Sequence, residues 1–138
     1  MMLTIHSLWA YLVLSLVLLA VINAISGVSS KRDFKDKDLR LSLFALIVTH
    51  LQLIIGLGWY FMSPWYKSMK ESGINDGNRL LAVEHPFFMI LAIILMTIGW
   101  SKHKKKDSDN SKFKIIAIFY GLALVLILSR IPWSNWFN

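Results

Sequence analysis

Residues 41–66 read LSLFALIVTHLQLIIGLGWYFMSPWY, with no charged side chain anywhere in the run. Crossing the hydrocarbon core of a bilayer takes about 20 apolar residues in a helix. This stretch therefore reads as a transmembrane helix that ends near Ser63-Pro64. His50 stands near its middle, where water is scarce. An unpaired polar group in hydrocarbon costs about several kcal/mol, so this histidine needs a partner.

The same pattern recurs on both sides. Residues 1–30, 85–101 and 115–129 also lack charge, and all but two charged residues, Glu84 and Arg130, lie in the three segments between these runs. Four transmembrane helices are expected near 6–27, 40–62, 80–100 and 114–131. Short connections make sequential helices antiparallel neighbours. The expected fold is an all-α integral membrane protein, one domain over 1–138, built as a four-transmembrane-helix up-down-up-down bundle. The composition agrees: 56% of the residues are hydrophobic and the six Trp, four Tyr and eight Phe suit interfacial aromatic belts. The first run lacks a positively charged leader and exceeds a signal-peptide core, so it reads as a retained anchor.

Loop charge sets the expected orientation. Lys31, Arg32, Lys35, Lys37 and Arg40 fall in the first connection, and six lysines lie in 101–114. The 63–79 connection carries only Lys67, Lys70 and Arg79 as cations. By the positive-inside rule the basic loops 28–39 and 101–113 are cytoplasmic, and both termini and the 63–79 loop face outward. Ser63-Pro64 and Ser72-Gly73 mark that outer loop as irregular. The run 102–106 reads as a topology signal beside anionic lipid rather than a nucleic-acid patch.

Absent cysteine excludes disulfides, thiolate metal sites, Fe–S clusters and covalent c-type haem. Histidine is left to carry the chemistry. His6, His50 and His85 all fall in apolar segments, and intramembrane ionisable groups are functional candidates by default. Membrane helices pack through small residues at 3–4 spacing. His6 heads such a row with Ala10, Val13, Val17, Ala20, Ala24 and Gly27. His85 heads another with Met89, Ala92, Met96 and Gly99. The second helix offers Ser42, Ala45, Thr49, Gln52 and Gly56, with His50 about 100° off that row. The fourth offers Ala117, Gly121, Leu124 and Leu128. Counted at about 1.5 Å per residue, the three histidines form a staircase, His50 deepest and His6 outermost.

Two histidines from facing helices suit the axial positions of a haem. Both His50–His85 and His85–His6 qualify, and the first is preferred because His6 lies closer to water. Glu84 is placed to orient a histidine ring, as carboxylates do for metal-bound imidazole, or else to sit in the outer interface. Pro86 removes a backbone hydrogen bond and loosens the helix near residue 82. Arg130 suits a haem propionate, or an interfacial anchor beside Trp133 and Trp136. His103, among lysines in a solvated loop, is a poor ligand candidate. Without a cofactor, His50 would bond a neighbouring polar side chain, Asn23 among the candidates.

His6-Ser7-Leu8-Trp9, the run Leu43–Leu53 around Thr49-His50-Leu51-Gln52, Val83-Glu84-His85, Thr97–Lys102 and Ile131-Pro132-Trp133 together carry a resemblance. The chain resembles small four-helix bacterial membrane proteins labelled cytochrome b-like, some of them described as similar to haem A synthase. The likeness implies non-covalent haem b held by histidines inside the bundle. The family's opening motif reads His-Ser-Gly-Leu-Arg-Trp. Here the Gly and Arg are missing, so the resemblance supplies no propionate contact from the first helix.

The leading expectation is a b-type cytochrome-like protein of the bacterial cytoplasmic membrane. It would pass electrons between the quinone pool and other respiratory-chain membrane proteins. Its cofactor-binding residues would be His50, His85, His6, Glu84 and Arg130, with the three histidines as candidate metal ligands. The alternative is a cofactor-free accessory subunit of a larger membrane complex. Homo-oligomerisation stays open, and no constellation of catalytic residues marks a stand-alone enzyme.

Overall fold

The computed structural model describes residues 2–133, and its regular elements are all helical. They are α1 (Met2–Ser30), α2 (Asp36–Met62), α3 (Pro64–Ser72), a π-helical turn (Leu80–Glu84) that leads into α4 (His85–Lys104), and α5 (Asp109–Ser129). α1, α2, α5 and the joined segment Leu80–Lys104 are long and apolar enough to cross a membrane. α1 packs on α2 and α5, while α4 packs on α5 and α2. The four form a closed ring, with α1 and α4 standing across it from each other.

At the end carrying the basic connections all four helices overrun the spans expected from hydropathy. At the other end α2 stops at Met62 as expected and α5 stops at Ser129, two residues short. Hydrogen bonding sets these ends. α2 begins at Asp36, where the Asp38 carboxylate reaches back to the Lys35 backbone N–H at 2.9 Å. Asp36 and Asp38 also face the positive end of the helix dipole. α5 begins at Asp109 because the Ser108 Oγ accepts from the Ser111 N–H. The cytoplasmic connections expected over 28–39 and 101–113 shrink accordingly to 31–35 and 105–108.

The expected irregular loop at 63–79 contains a helix. Ser63 caps α3 by accepting from the Tyr66 N–H at 3.3 Å, Pro64 occupies the first turn, and Gly73 closes it at φ +76°. The residues that suggested irregularity are its start and stop signals.

Small residues let the long helices approach. Ala20, Ala24, Ala45, Ala92 and Ala123 are buried between them. A methyl group added at Gly99 would stand 2.5 Å from Phe119, and one at Gly27 2.6 Å from Phe113. The rows expected on α1 and α4 face inward. On α5 the buried residues are Phe113, Ile116, Tyr120, Ala123, Leu124 and Ile127: Leu124 of the expected row is among them, but the face centres one residue earlier, and Leu128 faces out. Tyr120 explains the shift: fully buried, its hydroxyl donates to the Ser42 carbonyl at 2.7 Å. Large apolar side chains such as Leu8, Ile54 and Val125 cover the outside of the bundle. Lipid solvates them without the penalty that water would impose.

Candidate functional site

The outward-expected ends of all four spanning helices contribute to one cluster. His6 comes from α1, Gln52 and Gly56 from α2, His85 and Phe88 from α4, and Arg130 from the end of α5. Each side chain arrives there for a local reason. The His6 ring leans on α2 at Gly56, where a methyl group would come within 2.9 Å of its Cε1. Gln52, one turn earlier, donates from Nε2 to the His6 carbonyl at 2.8 Å.

Pro86 has no N–H to give the Ala82 carbonyl. The helix answers with a π-helical turn, in which the His85 N–H reaches Leu80, and Tyr60 donates its hydroxyl to Ala82 at 2.7 Å. The loosening expected near residue 82 is thus present. Such π-bulges are frequent at functional sites.

The His6 and His85 rings meet with centroids 6.3 Å apart and planes at 85°. They reach this contact from helices on opposite sides of the ring. His85 Nδ1 lies 2.8 Å from the Arg130 carbonyl oxygen. A carbonyl only accepts, so Nδ1 carries a proton, and it is Nε2 that has the lone pair whenever the ring is neutral. This is the arrangement of metal-binding imidazoles, whose other nitrogen is held by a carbonyl or carboxylate. The orienting role expected of Glu84 is filled by the main chain of Arg130. Glu84 lies half-buried in the π-helical turn, and its carboxylate makes no hydrogen bond or ion pair among the described residues.

Arg130 also stacks its guanidinium 4.5 Å from the Phe88 ring centroid and donates from Nη1 to the Ser129 carbonyl. Three polar atoms of this cluster are buried without a hydrogen-bond partner: His6 Nδ1, Gln52 Oε1 and Arg130 Nε. Buried polar groups are almost always paired, so three orphans in one linked cluster call for an explanation.

His50 does not share the ring contact. Its Nδ1 donates to the Leu46 carbonyl of its own helix at 2.8 Å. It lies six residues from Gly56, about 9 Å deeper along α2. His6 and His85 stand at one level, so the expected staircase reduces to a pair and one deeper ring. Asn23, suggested as a partner for His50, is engaged elsewhere. It donates to Asp38 at 2.8 Å and accepts from Arg32 at 2.6 Å. His103 is 1% exposed rather than solvated, packed against Phe34 and Trp100. Trp136 lies outside the described residues.

The donor set decides what this site can hold. Among the described residues no three His, Cys, Asp or Glu side chains are grouped as a metal cage. Two imidazoles leave a tetrahedral ion short of ligands, but they complete an iron whose equatorial positions are filled by a macrocycle. In donor chemistry, two imidazoles beside a buried arginine N–H, the residues present suit that group.

Comparison of the chain with protein-family models, with curated proteins and with solved structures finds no match in any of the three. Fold and site define a multi-pass helical membrane protein with an interhelical two-histidine centre.

Proposed function

We propose that this chain is an integral membrane haem b protein that passes electrons in the membrane, in which His85 and His6 would hold the iron. The observation that carries this reading is the His6–His85 contact, in which His85 is already held through its Nδ1. The preference expressed for His50–His85 on depth alone gives way to His6–His85, because only the latter rings are in contact. Bound haem b would supply one-electron ferric–ferrous chemistry. The chain's own contributions are distinct from that. The Arg130 carbonyl fixes the tautomer and direction of the His85 ring, and Gly56 leaves room for the His6 ring. Arg130 Nε–H offers a buried donor suited to a carboxylate. Both termini are assigned to the outer side, with quinol and respiratory-chain proteins as the classes of redox partner.

Optical spectra of the purified protein, expressed in haem-replete cells, test the proposal. A Soret band with a reduced α-band is expected in the wild type and in His50→Ala. It is expected to be lost in both His85→Ala and His6→Ala. Loss in His50→Ala with retention in His6→Ala would move the centre to the deeper pair. No Soret band in the wild type would remove the haem reading and leave a cofactor-free subunit.

A further inference from the structure

At the opposite end of the bundle the two basic connections meet. Asn110 Nδ2 donates to the Val28 carbonyl at 3.5 Å, and the Arg32 guanidinium lies 4.8 Å from the Phe113 ring centroid. Phe34 packs on Phe113 and His103, with Lys112 Nζ 5.7 Å from its ring. The 31–35 connection therefore folds onto the end of α4 and the start of α5. This gathers eleven of the fifteen cationic side chains at one end, against five of the eight carboxylates, a formal +6. One of those carboxylates, Asp38, is 1% exposed and committed to Arg32 at 2.9 Å. Its charge is largely cancelled before it reaches the surface.

Within this field Lys31, Arg32, Asp33, Lys35 and Lys37 surround a notch of about 360 Å³. Lys31 sits just past the end of α1 with φ +53°, in the left-handed region. That position favours glycine or asparagine, because a Cβ crowds the backbone there. The chain keeps a cation where its backbone would prefer glycine. An unfavourable backbone retained at a surface notch is a pointer to function. Toward the bilayer from Lys31, Ile22 and Ile25 of α1 are each 53% exposed. They offer an apolar track that a free anion has no use for.

We infer that the notch beneath Lys31 is a binding site for the phosphodiester headgroup of an anionic glycerophospholipid, with its acyl chains along the exposed face of α1. Four cations line the notch against the one carboxylate of Asp33, and the headgroup supplies negative charge to balance that excess. The surrounding lysines enrich such lipids locally, since basic side chains at a membrane surface attract anionic leaflets. Arg32, fixed by Asp38 and Asn23, forms the rigid wall, and Lys31, Lys35 and Lys37 make no ion pair among the described residues.

The full chain is reconstituted in phosphatidylcholine nanodiscs with a minor fraction of phosphatidylglycerol, and the lipids it retains on release are identified by native mass spectrometry. Several-fold enrichment of phosphatidylglycerol over the supplied ratio is expected. Lys31→Gly alone is expected to reduce it while leaving the melting temperature equal or higher, which separates binding from stability. Lys31→Gly/Lys35→Gln/Lys37→Gln is expected to abolish it, and Lys67→Gln/Lys70→Gln, at the other end, to leave it intact. No enrichment in the wild type, full enrichment in Lys31→Gly, or equal loss in the Lys67/Lys70 variant would each overturn the site. Displacement of the lipid by excess inorganic phosphate would overturn the lipid assignment in favour of a soluble anion.

Discussion

Asp38 shows how a single side chain closes one end of the bundle. It is a carboxylate with almost no exposure, yet every lone pair it needs is met. It accepts from Arg32 at 2.9 Å, Asn23 at 2.8 Å and the Lys35 N–H at 2.9 Å. Asp38→Ala removes all three bonds and leaves the Arg32 guanidinium over Phe113 without its counter-charge. Bonds to charged groups contribute about 1.5–3 kcal/mol each, but Arg32 is partly solvated and relaxes into water. A loss of about 2 kcal/mol is expected in reversible unfolding in detergent. Asp36→Ala, at an exposed first-turn position, is expected to change stability by no more than about 0.5 kcal/mol. Equal effects from the two would show that Asp38 acts only as a helix-end charge. At this scale the sequence is legible where chemistry is carried by rare residue types and opaque where the partner is main chain. His6 and His85 stand out as ionisable groups in apolar runs. That the Arg130 carbonyl holds His85 has no signature in residue identity, because every residue has a carbonyl. Likewise Asn23 reads as a candidate for His50 by apolar context, and only the fold of the 31–35 turn brings Arg32 and Asp38 to it.

At the scale of elements, the join between the π-helical turn and α4 is held by a bond between helices. Pro86 leaves the Ala82 carbonyl without its usual donor, and the Tyr60 hydroxyl supplies one at 2.7 Å. Tyr60→Phe is expected to cost about 1 kcal/mol. In a Pro86→Ala background, where residue 86 regains an N–H, the same change is expected to cost less than half as much. The coupling, about 0.5 kcal/mol or more, is read from a double-mutant cycle of unfolding free energies. Strict additivity would mean that Tyr60 only packs there. Elements differ in how openly the sequence announces them. The loosening at residue 82 follows from proline chemistry alone. The start and stop of α3 are written in Ser63, Pro64 and Gly73, but without the preceding helix end they pass for turn residues. The buried face of α5 is harder to read, because a small-residue row competes with one built on Phe113 and Tyr120. The tyrosine decides the matter through a hydrogen bond to Ser42 on another helix, a long-range partner that helical periodicity cannot register.

For the whole molecule, charge distribution and architecture make one coherent arrangement. Four spans with short connections give a ring in which the first and third, α1 and α4, stand opposite each other. That is why their histidines can meet while each belongs to a row of small residues. The two-histidine centre lies at one end and the formal +6 patch at the other, so the orientation decides which compartment each one faces. The span order is visible from uncharged runs alone, because few helical pairings satisfy four antiparallel segments. The sidedness rests on the lysine and arginine asymmetry, which acts during insertion; the packed bundle carries the +6 end without saying which compartment it faces. The chain has no cysteine, so single-cysteine variants report sidedness without background. Asn75→Cys lies between α3 and the π-helical turn, near the histidine end. Asp107→Cys lies between α4 and α5, among the lysines. In intact cells a membrane-impermeant maleimide is expected to label Asn75→Cys fully and Asp107→Cys only after permeabilisation. The reverse pattern would place the histidine centre on the cytoplasmic side and turn the basic notch toward the opposite leaflet. Labelling of both in intact cells would be incompatible with four antiparallel spans.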